Sequence, residues 1–303
     1  MNTHVNTVTV THVAKEAFRL FLELIKFRIT SLVSITTASG FILASAELNF
    51  TLLYVTFGIF LLAASSSVLN QWQERISDGL MERTRNRPLP SGKIEPNQAL
   101  YFSFILLVSG SSLLVYTCGV ETFIIGIFTF IWYNFIYTPL KKITAFAIIP
   151  GALVGALPPL AGWLAAGGEI TDPQILVLCL YFFIWQIPHF WLLLMIYSDD
   201  YSRGGFPTPG KIFNTEQIKR ITFMWLMTCI TFAMILSLYI KLNYNASVYI
   251  IFLISAWMMY VSVDFFRSRY DLKKIRNTFV NLNYFTLLII TVLSFDKLIS
   301  IIR

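Results

Sequence analysis

Along the chain, apolar residues gather into long runs that short polar stretches interrupt. Nine runs, near 29–46, 51–69, 99–117, 120–138, 145–166, 174–196, 221–240, 246–263 and 279–295, each approach the roughly 20 residues that an α-helix needs to cross a bilayer. Backbone amides find no water at that depth, so helices are the expected form of every run. The predicted fold is an all-α polytopic membrane protein of about nine transmembrane helices. The pattern is weakest in the first run, which is rich in Ser and Thr, and in the last, which carries Asn281 and Asn283. In PGALVGALPPLAGW (150–163), Gly151 and Gly155 are expected to let helices approach closely. Pro158 and Pro159 are expected to break that helix where it lines a cavity. The runs follow one another too closely for two soluble domains, so the expected organisation is an N-terminal segment, 1–28, and one transmembrane domain, 29–303.

Composition strengthens this picture. Hydrophobic residues make up 56% of the chain, charged residues 13%, and the mean hydropathy is +0.68; a soluble domain is about a quarter charged. The three cysteines, Cys118, Cys179 and Cys229, stand singly in apolar runs and read as small packing residues rather than metal ligands or disulfide partners. The first residues show neither a cleavable signal pattern nor an import-peptide bias. The expected location is therefore a bacterial plasma (inner) membrane.

Charge supplies an orientation. With nine spans and an internal N-terminus, the inner segments are 1–28, 70–98, 139–144, 197–220 and 264–278. They hold four, five, two, four and five Lys or Arg, 20 of the 23 in the chain. Such a bias predicts that these segments, and any site built from them, face the cytoplasm. The net charge of +7 then belongs to one face, suited to anionic lipid and anionic substrates. No soluble basic domain exists to hold a nucleic acid, so none is expected as a partner. Two inner connections, after the second and sixth spans, are long and rich in acids, bases, Gly and Pro. Their four-span separation hints at an internal repeat.

The first rich stretch is NQWQERISDGLMERTRNRPLPSGK (70–93). Asn70, Glu74 and Asp78 are spaced i, i+4, i+8 and share one helical face. Hard oxygen ligands in that arrangement suit a Mg²⁺ ion shared with a phosphorylated substrate. Arg83, Arg85 and Arg87 follow, and guanidinium groups grip phosphate oxygens well. The plainer alternative is a solvated boundary loop. Asn70 ends an apolar run, however, so the polar row begins at membrane depth, where polar groups are costly and commonly functional.

The second rich stretch is WQIPHFWLLLMIYSDDYSRGGFPTPG (185–210). Asp199 and Asp200 close the sixth span and are candidates for the second wall of a metal site, with Arg203 beside them; solvent-facing acids at a helix end are the alternative. His189 is the one histidine outside the N-terminal tail. It is either a hydrogen-bonded core residue or a ligand or proton carrier. YTPLKKIT (137–144) brings Lys141 and Lys142 to the same face, as topology signals or as cations that neutralise a leaving diphosphate.

The motifs NQWQERISDGLMERTRNRPLPSG, YTPLKKIT, PGALVGALPPLAGW and WQIPHF…YSDDYSRGGFP together resemble the UbiA-type intramembrane prenyltransferases, over nearly the whole chain from about Lys26. WQIPHF with DDYSRGGFP points to the haem-modifying branch. The resemblance implies nine helices around a central cavity, Mg²⁺ as cofactor, farnesyl diphosphate as donor and haem b as acceptor. It implies metal ligands Asn70, Glu74, Asp78, Asp199 and Asp200. Glu74 stands where Asp is more usual, and the further Asp of the family's second motif is replaced by Met195 or Ile196, which puts a two-metal site in doubt. Arg83, Arg87, Lys141, Lys142 and Arg203 would bind diphosphate, with Asp78, Lys141 and Lys142 closest to the chemistry. Trp185 and His189 would contact haem. By the same resemblance, a haem vinyl group attacks the farnesyl cation and water completes a hydroxyethylfarnesyl group. Pairing with a second copy or with a downstream haem A synthase stays open. The rival readings are a related enzyme that prenylates a quinone precursor or a chlorophyll-like ring, and a transporter of an anionic lipid or metabolite.

Overall fold

In a computed structural model, residues 15–302 are described, with side chains to residue 299. The first fourteen residues of the predicted N-terminal segment lie outside this range. Nine long helices carry the nine predicted runs: α1 (Phe27–Ser45), α2 (Phe50–Leu80), α3 (Pro96–Cys118), α4 (Val120–Leu140), α5 (Ile148–Ala165), α6 (Pro173–Ile196), α7 (Thr215–Tyr239), α8 (Asn245–Arg267) and α9 (Leu272–Ile302). Each is long and apolar enough to cross a membrane, and the chain is a multi-pass integral membrane protein. Among the described residues there is no strand.

Neighbours in sequence are neighbours in space. The succession α1–α2–α3–α4 is repeated by α5–α6–α7–α8, and α9 closes the circuit against α6 and α1. The four-span spacing of the two rich stretches reflects this recurrence. Small-residue α5 lies at the hub, touching α1, α2, α4 and α6.

The two weakest runs hold as helices because their polar side chains bond within the helix. In α1, Ser34 donates to Thr30 O (3.1 Å) and Thr37 to Val33 O (3.0 Å). In α9, Asn281 and Asn283 donate to the carbonyls of Asn277 (2.8 Å) and Phe279 (2.6 Å). Such back-bonding satisfies the polar group without a partner helix. Ser65 and Ser103 instead join α2 to α3, each donating to the other's carbonyl (2.7 and 2.9 Å).

Two expectations for α5 are corrected. Pro158 and Pro159 do not break it: the helix runs unbroken to Ala165. Neighbouring helices hold a membrane helix through a proline, and α1 packs its backbone directly on this segment. A Cβ at Gly40 would overlap the Pro159 carbonyl, and one at Gly162 the Thr37 carbonyl. The close approach therefore uses Gly40 and Gly162. Gly151 and Gly155 instead make room for the side chains of Tyr137 and Gln186.

Candidate active site

The helix of α2 continues past its apolar run to Leu80, so Asn70, Glu74 and Asp78 do share one face, turned into the protein. They are 1%, 5% and 2% exposed. A buried carboxylate is costly unless charge and hydrogen bonds compensate it. Each of these residues has a cationic partner from a different part of the chain. Lys141 Nζ lies 2.6 Å from Glu74 Oε1, and Arg87 Nη1 lies 2.7 Å from Asp78 Oδ2. Lys26 Nζ donates to Asn70 Oδ1 at 2.8 Å, and Asn70 Nδ2 donates to Thr138 Oγ1 at 3.2 Å.

Local structure sets each cation in place. Residues 15–24 form a helix whose last carbonyls, Glu23 O and Leu24 O, accept from buried Gln71 of α2 (3.1 and 2.7 Å). The chain then turns through Lys26 with φ 51° and ψ 52°, a left-handed conformation that strains a residue with a Cβ. Burial, helped by the Arg87 and Lys141 charges, lowers the Lys26 pKa to about 7 against the pull of Glu74 and Asp78. Lys141 follows the C-terminal end of α4, where residues Trp132–Tyr137 form a π-helical turn, a feature frequent at functional sites. Asn134 of that turn donates to Ser66 (2.6 Å), and its carbonyl accepts from Gln73 (3.0 Å). Burial depresses the Lys141 ammonium, but Glu74 and Tyr133 more than offset this and leave its pKa raised. Its cation also lies over the Tyr137 and Phe206 rings (5.3 and 5.7 Å). Arg87 is aimed by the turn after Leu80, where Thr84 donates to Asp78 O at 2.8 Å.

The second rich stretch forms the short helix Ser198–Arg203 beside this turn. The Asp200 carboxylate accepts from the backbone N–H groups of Glu82 (2.7 Å) and Arg83 (3.2 Å), joining the two stretches. Arg203 pairs with Glu82, and Arg83 lies over the Tyr197 ring at 5.2 Å. Asp199 is exposed. With Glu82, Arg83, Asp200, Arg203 and Tyr270 it borders an open polar cleft on the same side. Lys142 is exposed and reaches only Gln73 O, at 3.4 Å. Of the predicted diphosphate set, Arg87 and Lys141 join the buried cluster, Arg83 and Arg203 lie at its rim, and Lys142 stands outside it. Lys26, Gln71 and the tyrosines of the π turn were not among the predicted residues. Lys26 looked like one more boundary charge, and no residue pattern announces a left-handed lysine or a π turn.

Beneath the cluster lies an apolar pocket with a cavity volume of about 130 Å³. Lys26, Ser67 and Tyr133 stand at its charged end, and stripes of α1, α2, α4 and α5 form its walls. Further round, between α6 and α9, His189 is packed between the Trp185 and Phe279 rings, each 4.8 Å away between centroids. Its Nδ1 is buried without a hydrogen-bond partner, and Trp185 donates to Leu282 O at 3.3 Å.

The cluster's chemistry fits a divalent cation that arrives with an anion. No group of three His, Cys, Asp or Glu among the described residues forms a complete cage. The helix explains why: Asn70 and Asp78 lie about 12 Å apart along α2, beyond the reach of one ion with bonds of ~2 Å. A Mg²⁺ ion commonly takes one or two carboxylates and completes its shell with water and substrate phosphate. Buried Glu74 and Asp78 could supply such oxygens, and Lys26, Arg87 and Lys141 could supply charge to meet an anion. The five predicted metal ligands are thus divided between a buried row on α2 and the rim residues Asp199 and Asp200.

A profile of the UbiA prenyltransferase family matches residues 32–286. The protoheme IX farnesyltransferase of Geobacter sulfurreducens is 42% identical over 62% of this chain and 70% of its own length. That of Flavobacterium psychrophilum is 30% identical over 85% and 87%. Among solved structures, one titled for digeranylgeranylglyceryl phosphate synthase superposes with TM-score 0.75 at 18% identity, over 93% of this chain and 99% of that one. A UbiA homologue from Archaeoglobus fulgidus bound to GPP and Mg²⁺ superposes with TM-score 0.65 at 15% identity, over 92% and 99%. These two share the fold. Matched by the family profile over most of its length, this chain belongs to the UbiA prenyltransferase family.

Proposed function

We propose that this prenyltransferase moves the farnesyl group of farnesyl diphosphate onto a vinyl group of haem b, giving haem O and diphosphate. The observation that carries this reading is the buried cluster of Glu74, Asp78, Lys26, Arg87 and Lys141 directly above an apolar pocket. Such a site takes an anionic head and a greasy tail together. The relatives named protoheme IX farnesyltransferase support the choice of donor and acceptor.

Buried Glu74 and Asp78 would hold Mg²⁺, with water and substrate phosphate completing its shell, while Asn70 and the rim carboxylates Asp199 and Asp200 stand too far apart to share that ion. When bound, that ion would supply Lewis-acid stabilisation of the diphosphate. Lys141, Lys26 and Arg87 offset the charge that grows as the C1–O bond breaks and the electron pair leaves with diphosphate. The pocket walls exclude water from the allylic cation. The vinyl carbon then bonds to C1, and water captures the resulting haem-side cation, releasing a proton. Trp185 and His189 offer flat aromatic surface and one unpartnered nitrogen for the acceptor. Residues 29–303 act as one unit in this reading, tied end to end by Ser294 of α9 and Ser39 of α1 (3.1 Å). The site faces the cytoplasm of a bacterial inner membrane, in keeping with the basic bias of that end.

The test is direct. Purified protein given haem b, farnesyl diphosphate and Mg²⁺ is expected to yield haem O by mass and to release pyrophosphate, and chelation by EDTA is expected to stop both. A transporter would release no pyrophosphate. A prenylated quinone precursor, formed in preference to haem O, would move the assignment to another acceptor.

A further inference from the structure

The helix over residues 15–24 has two unlike faces. Its charged residues, Lys15, Glu16, Arg19 and Glu23, follow one stripe, along which Arg19 Nε pairs with Glu23 Oε1 at 3.0 Å. Apolar residues cover the rest of its circumference. Where it approaches α1, Leu24 and the following Ile25 are buried in a small core with Val68, Ala99 and Leu106. That core leaves two large rings uncovered: Phe18 is 61% exposed and Phe21 38%. Bare rings beside a row of charges suit neither bulk water nor the hydrocarbon interior. They suit the boundary between the two, where an amphipathic helix lies with its apolar face among acyl chains. The neighbouring surface has the same character. The Phe21 ring meets the Phe102 ring of α3 edge-on, 5.5 Å between centroids, and Tyr101, Phe104 and Ile105 of that span are exposed. On α1, exposed Phe27 stands 6.1 Å from the Phe60 ring of α2. Phe18 and Phe21 thus continue the exposed apolar faces of two spanning helices.

The same helix ends on the charged cluster. Gln71, beside Asn70, binds its last carbonyls, and Lys26 leaves it through the left-handed turn to donate to Asn70. Only Ile25 separates the anchored carbonyl of Leu24 from Lys26, so a displaced helix would carry the lysine with it. A strained left-handed residue persists only where its surroundings hold it, and this helix is one side of them. We propose that residues 15–24 rest in the bilayer interface at the cluster's end, with Phe18 and Phe21 among phospholipid acyl chains, and that this seat keeps Lys26 in the site. The coupling to Lys26 rests on reading the cluster as the seat of a prenyl diphosphate; the contact with lipid does not.

The test has two readouts on full-length protein in vesicles of phosphatidylcholine and phosphatidylglycerol. For the seat, p-benzoylphenylalanine is placed at position 18, 21 or 19 and irradiated. Lipid adducts, read by mass, are expected at 18 and 21 and several-fold fewer at 19. Equal adducts at all three positions, or crosslinks from 18 and 21 to a second copy of the chain, would overturn the seat. For the coupling, Mg²⁺-dependent binding of labelled farnesyl diphosphate is measured without haem. Phe18→Gln with Phe21→Gln is expected to weaken it several-fold, up to the about tenfold loss expected of Lys26→Met. The same pair is expected to add nothing in protein that already carries Lys26→Met, since both changes remove one contribution. Single Phe18→Gln, at the more exposed ring, is expected to give part of the loss and guards against a misfolded variant. Arg19→Gln, which breaks the surface pair and removes no ring, is expected to bind as the wild type does. Wild-type affinity in the double Gln variant, or a loss that adds fully to that of Lys26→Met, would overturn the coupling. If the wild type binds no farnesyl diphosphate, the donor site and the coupling fall together, while lipid adducts at 18 and 21 still support the seat.

Discussion

Single residues in the cluster are tied by charge, so substitutions there separate stability from catalysis. Lys141→Met leaves Glu74 buried without its cation and is expected to destabilise the protein by about 3–5 kcal/mol. The readout is the thermal unfolding midpoint in detergent, alongside loss of turnover. Glu74→Gln combined with Lys141→Met is expected to regain much of the lost stability and none of the activity; a double variant as unstable as Lys141→Met would contradict the pairing. Lys26→Met removes a cation that burial already disfavours. It is expected to leave the unfolding midpoint near that of the wild type while weakening farnesyl diphosphate binding by about tenfold or more, the worth of one charge-assisted hydrogen bond. Asn70, Glu74 and Asp78 could be read from their spacing because a helix converts i, i+4, i+8 into one face. Lys26 could not, since its place depends on a backbone turn and on a helix packing more than forty residues along the chain.

At the scale of elements, the connection between the two rich stretches turns on Asp200. Its carboxylate accepts two amides of the turn after α2, whereas Asp199 faces the open cleft. Asp200→Ala is expected to raise hydrogen exchange and protease cleavage across residues 82–93, and Asp199→Ala to leave both as they are. Equal protection in the two variants would remove the distinction. The spans themselves were legible because burying helices in lipid imposes long apolar runs, and all nine are where the pattern puts them. What the pattern misjudged was proline in α5. Local preference says that Pro158–Pro159 ends a helix, but with the α1 backbone pressed against it through Gly40 and Gly162 the helix stays continuous. Contacts between distant elements decided the matter, and a linear pattern does not contain them.

For the whole molecule, the basic bias and the position of the charged cluster lead to one topological expectation. Lys142→Cys is expected to react with a membrane-impermeant maleimide only in inverted vesicles, and Lys241→Cys, at the other end, only in intact cells. The reverse result would turn the protein over and place the site outside. The recurrence of α1–α4 in α5–α8 brings the two rich stretches to the same end, which their four-span separation suggested and their unlike residues could not establish. His189 shows the limit of sequence at this scale. Trp185 lies one turn away on α6 itself, but Phe279 comes from α9, which meets α6 only in the folded bundle, so the burial of His189 with Nδ1 unpartnered became visible only there.

The pairing of Lys141 with Glu74 and of Arg87 with Asp78 means that the site carries its own counterions. A divalent ion binding at Glu74 and Asp78 would have to displace Lys141 and Arg87, and those cations, once released, would need an anion. Metal and diphosphate would therefore bind more readily together than either would alone. Once diphosphate departed, Lys141 and Arg87 could return to Glu74 and Asp78 and would favour release of the ion. A metal held there would behave less like a fixed fitting than like a second substrate.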